Sequence, residues 1–160
     1  MRNLRIYLDT SVISHLFHDD SPTLQEATQE LFENAIATNI HDSFISGVVL
    51  DELRRAKDPV LRAKFLEVVS RYPLGILPSD DPEVARIARL YMDGGVLPSK
   101  KPEDAFHVAF ATVFEMDVLV TWNFRHLAKA KTSAMVAGIN RMEGYSKPLQ
   151  LLTPLEVLEP

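Results

Sequence analysis

The segment Arg5-Ile6-Tyr7-Leu8-Asp9-Thr10-Ser11-Val12-Ile13-Ser14 sets an acid and two hydroxyl residues directly after a short apolar run. Residues 4–8 read as a buried strand. A carboxylate at the end of such a strand is costly to desolvate unless something in the fold offsets its charge. The positions of the other short apolar runs, and the residues that come after each of them, decide both the fold and the reading of Asp9.

Downstream, Ser21-Pro22 has the form of a helix start, with proline at the first helical position. Leu24, Ala27, Leu31 and Ala35 then recur at helical spacing over residues 23–38, and Asn39 is a stop. Residues 43–46, "SFIS", form a second strand, and "GVVLDELRRA" turns helical after Gly47. Asp58-Pro59 interrupts it, and residues 60–71 resume a helix with Leu61, Phe65, Val68 and Val69 inward. "LGIL" at 74–77 is a third strand. Asp81-Pro82 opens a helix with Val84, Ile87, Ala88 and Tyr91 on one face. "DGGVLPSKKP" is the most loop-like segment. Pro102 starts a helix so apolar that a central position is expected. "VLVT" at 118–121 is a fourth strand, residues 133–141 a short helix, and "LQLL" at 149–152 a last strand. Short apolar strands alternating with helices argue for a single α/β domain, residues 1–160, with a mostly parallel sheet.

Composition excludes several classes. The chain has 160 residues, 46% hydrophobic and 24% charged, enough for one sizeable core. No long uncharged apolar run suggests a membrane span, and no signal-peptide pattern opens the chain. The lack of cysteine excludes disulfides, thiolate zinc sites and cysteine nucleophiles, and suits a cytoplasmic protein. With a net charge of −5, a nucleic-acid partner would need a local basic patch. Arg54-Arg55-Lys57, Lys100-Lys101, and Arg125 with Lys129 and Lys131 are the candidates.

Parallel sheets bind ligands at the carboxyl ends of their strands. Asp9 follows the first strand there, Glu52 lies on the first turns after the second, and Asp104 lies in the first turn of the apolar helix. Asn123 follows the fourth strand. Singly, each has an ordinary explanation: a helix cap for Asp9, a solvated surface acid for Glu52, a dipole-favoured acid for Asp104, a turn residue for Asn123. Together, each at a strand-to-helix junction, they point to a shared site. Carboxylates gathered at one edge repel one another unless a cation or protons intervene. Oxygen ligands without cysteine favour Mg²⁺ or Mn²⁺, and metal-assisted attack of water on a phosphodiester is the matching chemistry.

The series "YLDTSVIS", "FISGVVLDEL", "PEDAFHVAFA" and "VLVTWNFRHLA" resembles the PIN domain, and most of all its small single-domain members of the VapC-like toxin type. The resemblance runs from about Arg5 to the closing "LLTPLEVL". It implies a three-layer α/β/α fold and a Mg²⁺- or Mn²⁺-dependent endoribonuclease with metal ligands at Asp9, Glu52 and Asp104. The family's usual fourth acid falls at Asn123, which brings no charge and puts a second metal ion in question. The resemblance also implies RNA as substrate, a small antitoxin protein as partner, and pairing as a homodimer.

Ser11, Arg54, Arg55 and His126 are candidate substrate contacts; each is also readable as a cap or a surface residue. His107, three residues after Asp104, either orients that carboxylate or is a satisfied core histidine, and the second reading is preferred. An aspartyl phosphatase would want a second acid two residues after Asp9, where Ser11 stands. A P-loop would need a Gly-rich run before a lysine, which is missing. A rival from another class is a PIN-fold binding module that has lost its chemistry and acts through protein or RNA partners, with Asn123 as its best support.

Overall fold

The computed structural model describes residues 3–18 and 20–159. The expected domain of residues 1–160 thus includes four positions, 1, 2, 19 and 160, that lie outside the described residues.

Five strands make one sheet: β1 (Arg5–Leu8), β2 (Asp42–Ser46), β3 (Leu74–Leu77), β4 (Val118–Val120) and β5 (Gln150–Leu152). Their order is β3-β2-β1-β4-β5, and every neighbouring pair is parallel. The carboxyl ends are in step across the centre, with Leu8 opposite Val120 and Val120 opposite Leu152. The chain builds outward from β1 through β2 to β3, then returns to place β4 on the other side of β1. The β1/β4 boundary is therefore the switch point at which an open parallel sheet forms a crevice. Asp9 leaves the sheet on one side of that crevice and Thr121-Trp122-Asn123 on the other.

Successive strand residues point to opposite faces. Ile6, Tyr7 and Leu8 are all fully buried, as are Leu119 and Val120, so helices cover both faces of the sheet. The result is the three-layer α/β/α arrangement, all-parallel rather than mostly parallel among the described residues.

The helices are α1 (Thr10–Ser14), α2 (Pro22–Leu31), α3 (Gly47–Arg54), α4 (Pro59–Arg71), α5 (Pro82–Asp93), α6 (Pro102–Val113), α7 (Ala130–Met142) and α8 (Pro154–Leu158). Proline occupies the first turn of α2, α4, α5, α6 and α8, where its missing N–H costs no helical hydrogen bond. Asp58 and Asp81 cap α4 and α5 with their side chains; Asp81-Pro82 opens a helix as expected, and Asp58-Pro59, expected only as an interruption, is itself the start of α4. Among the described residues, no helix is long and apolar enough to cross a membrane.

Some elements differ from their sequence-based outlines. The helix expected over residues 23–38 is α2 followed by a π-helical turn, Phe32–Ile36, which buries Phe32, Ala35 and Ile36 together. Asn39 does end the run, at φ 55°. The helix expected over 133–141 is longer, because α7 starts at Ala130. α1, too short to show a period, was anticipated only as the helix that Asp9 would cap, and the Asp9 side chain does accept the Ser11 N–H at its start; α8, equally short, was not anticipated. Thr153 and Glu156 nevertheless form a reciprocal capping box at the start of α8.

α3 carries Glu52, and Gly47 sets its start. A Cβ on Gly47 would stand 2.6 Å from Cβ of Ser79, just beyond β3. Gly47→Ala should therefore destabilise the protein by about 1–3 kcal/mol through overpacking. The check is the urea midpoint, expected to fall with unchanged slope; an unchanged midpoint would show that the Ser79 segment yields freely.

Candidate active site

Asp9 is 4% exposed, yet its carboxylate is well supplied with donors. Oδ1 accepts from the Ser11 backbone N–H at 3.1 Å and from the Ser11 hydroxyl at 2.5 Å; Oδ2 accepts from the Thr121 hydroxyl at 2.5 Å. The Asp9 N–H itself donates to the Val120 carbonyl at 3.2 Å. Two further bonds extend the network. Trp122 N–H donates to Ser11 Oγ at 2.9 Å, and Asn123 N–H donates to Thr121 Oγ1 at 2.9 Å. The exits of β1 and β4 are thus laced together through one carboxylate. This part of the answer to the strand-end acid needs no cation: hydrogen bonds to the charged form offset part of the desolvation.

Glu52 is held from two sides. Its Oε1 accepts from Thr10 Oγ1 at 2.8 Å and lies 2.7 Å from His107 Nε2. A carboxylate only accepts, so Nε2 carries a hydrogen. The other ring nitrogen, Nδ1, is 2.8 Å from the Tyr7 hydroxyl, which also meets Ser46 Oγ at 2.7 Å. Tyr7 is completely buried and His107 almost so. A polar chain therefore runs through the core from Ser46 to Glu52, and among the described residues no buried side-chain polar atom lacks a partner.

Asp104, half-buried in the first turn of α6, accepts from Asn123 Nδ2 at 3.3 Å. Asn123 Oδ1 is engaged elsewhere, accepting from His126 N–H at 3.0 Å.

These acids influence one another. Burial raises the Asp9 carboxyl above its ordinary range, with Glu52 adding to the rise and His107, Ser11 and Thr121 opposing it. Burial likewise raises Asp104, and the Asp9 charge adds to it. Burial also pushes Glu52 upward, but the His107 hydrogen bond and charge, with Thr10 and Arg55, outweigh it and leave Glu52 lowered. Burial alone would depress His107; Glu52, Asp9 and Asp104 outweigh it and hold the imidazole above its usual value. The site is short of positive charge at its centre. Among the described residues, however, no three or more His, Asp or Glu side chains are arranged to hold a metal ion together. The donor chemistry suits a hard cation, while a closed cage is not preformed.

A family model for the PIN domain matches residues 6–131. The chain belongs to the PIN domain family. PIN domains are in general nucleases that use divalent metal ions. Two solved structures share the fold. "VapBC2 from Rickettsia felis bound to a DNA fragment from their promoter" aligns at 15% identity and TM-score 0.56, covering 94% of this chain and 98% of the other. "VapBC-1 from nontypeable Haemophilus influenzae" aligns at 14% identity and TM-score 0.56, covering 95% and 99%. No curated protein matches the chain by sequence.

In this PIN domain, Asp9, Glu52, Asp104 and Asn123 all stand at the carboxyl edge of the sheet, linked by the contacts above. Ser11 is spent on Asp9 and on Trp122 N–H. Arg55 lies near Glu52 and pairs with Glu103 at 3.6 Å; Arg54 pairs instead with Asp51 at 3.7 Å, on the exposed side of α3. His126 is partly buried and close enough to oppose the rise of the Asp104 carboxyl. His107 is a satisfied core histidine, as preferred, but the carboxylate it touches is Glu52 and not Asp104. The i, i+3 spacing on α6 suggested the wrong partner because the ring turns toward α3.

Tyr7, Thr10, Ser46 and Thr121 escaped sequence reasoning. Tyr7 reads as an ordinary strand aromatic; its one signal is a hydroxyl that must find a partner if buried. Thr10 and Thr121 sit beside Asp9 and Asn123 in sequence, and two hydroxyls flanking a strand-end acid are the signal that could have found them.

A raised carboxyl pKa makes the folded state hold its proton to higher pH than the unfolded chain does. Stability is then lost as pH rises above the unfolded value of 3.8. Asp104→Asn should therefore raise the urea midpoint of the metal-free protein at neutral pH and flatten its dependence above pH 3.8. A lower midpoint in the variant at neutral pH would refute the net penalty that burial, with Asp9, places on the Asp104 charge.

Proposed function

We propose that this chain, as a single PIN domain over residues 1–160, is a Mg²⁺- or Mn²⁺-dependent endoribonuclease and the toxin of a type II toxin-antitoxin pair. The observation that carries the reading is the gathering of Asp9, Glu52 and Asp104 about the carboxyl edge of the sheet, where burial and neighbouring acids disfavour the charged forms of Asp9 and Asp104 and a cation would favour them. Asp9, Glu52 and Asp104 would hold the ion. Magnesium usually takes one or two carboxylates and completes its shell with water and phosphate, so the lack of a closed protein cage is compatible with it. When bound, such an ion acidifies water and stabilises the charge that develops on a phosphodiester.

The chain's own residues supply the rest. Ser11 and Thr121 lock the Asp9 carboxylate in orientation while leaving one lone pair, on Oδ2, unused. His107 and Thr10 both bind Oε1 of Glu52, which directs the other oxygen, Oε2, to a ligand or to an attacking water. The Asn123 side-chain N–H steadies Asp104 and contributes no ligand oxygen in this arrangement, which favours a single ion over a pair. Arg55 and His126 flank the acids as contacts to substrate phosphate, with Ser11 and Arg54 in lesser roles. Single-stranded RNA is the substrate class, since its backbone is reachable.

The two VapBC neighbours support an antitoxin partner, and a homodimer and a cytoplasmic setting complete the proposal. A second reading, a PIN-fold module acting by binding alone, draws on the uncharged Asn123 and the open ligand set.

Calorimetric titration of Mn²⁺ and Mg²⁺, beside an RNA cleavage screen with and without chelator, separates the two. The wild type should bind metal and cut RNA only when metal is present. Asp9→Asn should lose both, with cleavage down by about a hundredfold or more. Full activity in Asp9→Asn would sink the assignment. Wild-type protein that neither binds metal nor cleaves would favour the binding module.

A further inference from the structure

We propose that the groove lined by His126, Lys129, Lys131 and Thr132 binds a backbone phosphate of a single strand of nucleic acid lying across the acids. The inference rests on the nuclease reading for its ligand class, and on its own geometry for its place.

A cavity of about 180 Å³ opens between the Gly95-Val96 segment and the start of α7, with His126, Lys129, Lys131 and Thr132 in its wall. No acid lines it. A second cavity, beside Phe17, also has cations, Lys64 and Arg71, but Glu67 stands among them. The lysine charges of the first groove are unspent. Among the described residues, the Lys129 and Lys131 side chains and the His126 ring have neither an ion pair nor a hydrogen bond, whereas Arg54, Arg55, Arg86 and Lys147 are each matched with an acid. Unmatched positive charge in a concave wall is what a phosphate needs.

The groove is also fixed relative to the acids. Asn123 joins Asp104 through its amide N–H and His126 N–H through its oxygen, so one side chain ties the acid to the groove wall. On the far side, Thr132 Oγ1 donates to the His126 carbonyl at 2.8 Å, fastening the loop to α7. Across the wall, Gly95 (φ 70°) has nothing within 4 Å of the place its Cβ would take, so the entrance is open. His126 and Lys101 both act on Asp104 electrostatically. A strand whose scissile phosphate lies over Asp9, Glu52 and Asp104 would thus set a neighbouring phosphate beside His126, Lys129 and Lys131. The acidic edge takes the cation and the basic groove takes the anion, which gives the strand a direction.

The test is fluorescence anisotropy of a short labelled single-stranded RNA of mixed sequence, with chelator present so that nothing is cut, over a range of salt concentrations. The double variant Lys129→Ala/Lys131→Ala should bind about tenfold more weakly near 0.1 M salt, with a slope of log affinity against log salt shallower by about 1.4, the value for two lost contacts to a single strand. Lys129→Arg/Lys131→Arg should restore binding, and Lys64→Ala should leave it unchanged. A matching DNA strand should weaken equally in the double variant, because the contact is to phosphate. RNA binding unaltered in the double variant overturns the subsite, as does wild-type protein that binds no RNA. Loss confined to RNA, with DNA unaffected, overturns the phosphate assignment in favour of the ribose hydroxyl. Wild-type protein that binds as expected yet cuts nothing with Mn²⁺ removes the nuclease reading and leaves the subsite in place.

Discussion

The buried carboxylate of Asp9 is the constraint on which the site depends. An acid at 4% exposure is costly, and the protein offsets that cost with two hydroxyls and a backbone N–H aimed at its two oxygens. Each hydroxyl then acts a second time as an acceptor. Ser11 Oγ takes Trp122 N–H, and Thr121 Oγ1 takes Asn123 N–H. The loop after β4 therefore cannot move independently of the loop after β1. The β1/β4 crevice, which topology alone would leave as a gap between two loops, becomes a defined wall.

The second acid is held by different means. Glu52 stands on α3, and its orientation comes from the core: Ser46, Tyr7 and His107 form a chain of polar groups under the sheet edge that ends on Oε1. Such networks are strong when fully satisfied and costly when broken. The chain draws its members from β2, β1 and α6. Packing of those elements therefore determines where Glu52 points. Asp104 has the least support, with one amide contact at 3.3 Å. This ordering, from locked Asp9 through braced Glu52 to loosely held Asp104, describes a site in which one acid can adjust when a cation or a phosphate arrives.

Charge on the surface follows the same division. A net charge of −5 gives no general attraction for nucleic acid. Several cations are neutralised locally, Arg54 by Asp51 and Arg55 by Glu103, in exposed pairs that contribute little to stability. The lysines at the start of α7 are not. Their charge is therefore available to a polyanion in a groove that Asn123 ties to Asp104.

The sequence by itself determined the five strands and the longer helices, because short apolar runs, Asp-Pro caps and helical periodicity are local signals that each of these elements satisfies with its own residues; the π-helical turn and α8 carried no such signal. It also determined the sheet type and brought Asp9, Glu52 and Asn123, which follow β1, β2 and β4, to one edge, since the exits of parallel strands share a side; Asp104 reaches that edge through the packing of α6, which follows α5 and not a strand. Only the tertiary structure decided what those residues touch. Spacing on α6 directed His107 to Asp104, while the packing of α6 against α3 and β1 turned it to Glu52 and Tyr7. The hydroxyls of Thr10 and Thr121 and the amide of Asn123 take their partners from segments up to 112 residues away. Hydrogen bonds depend on approach within about 3 Å, and no local pattern along a chain encodes that distance across such separations.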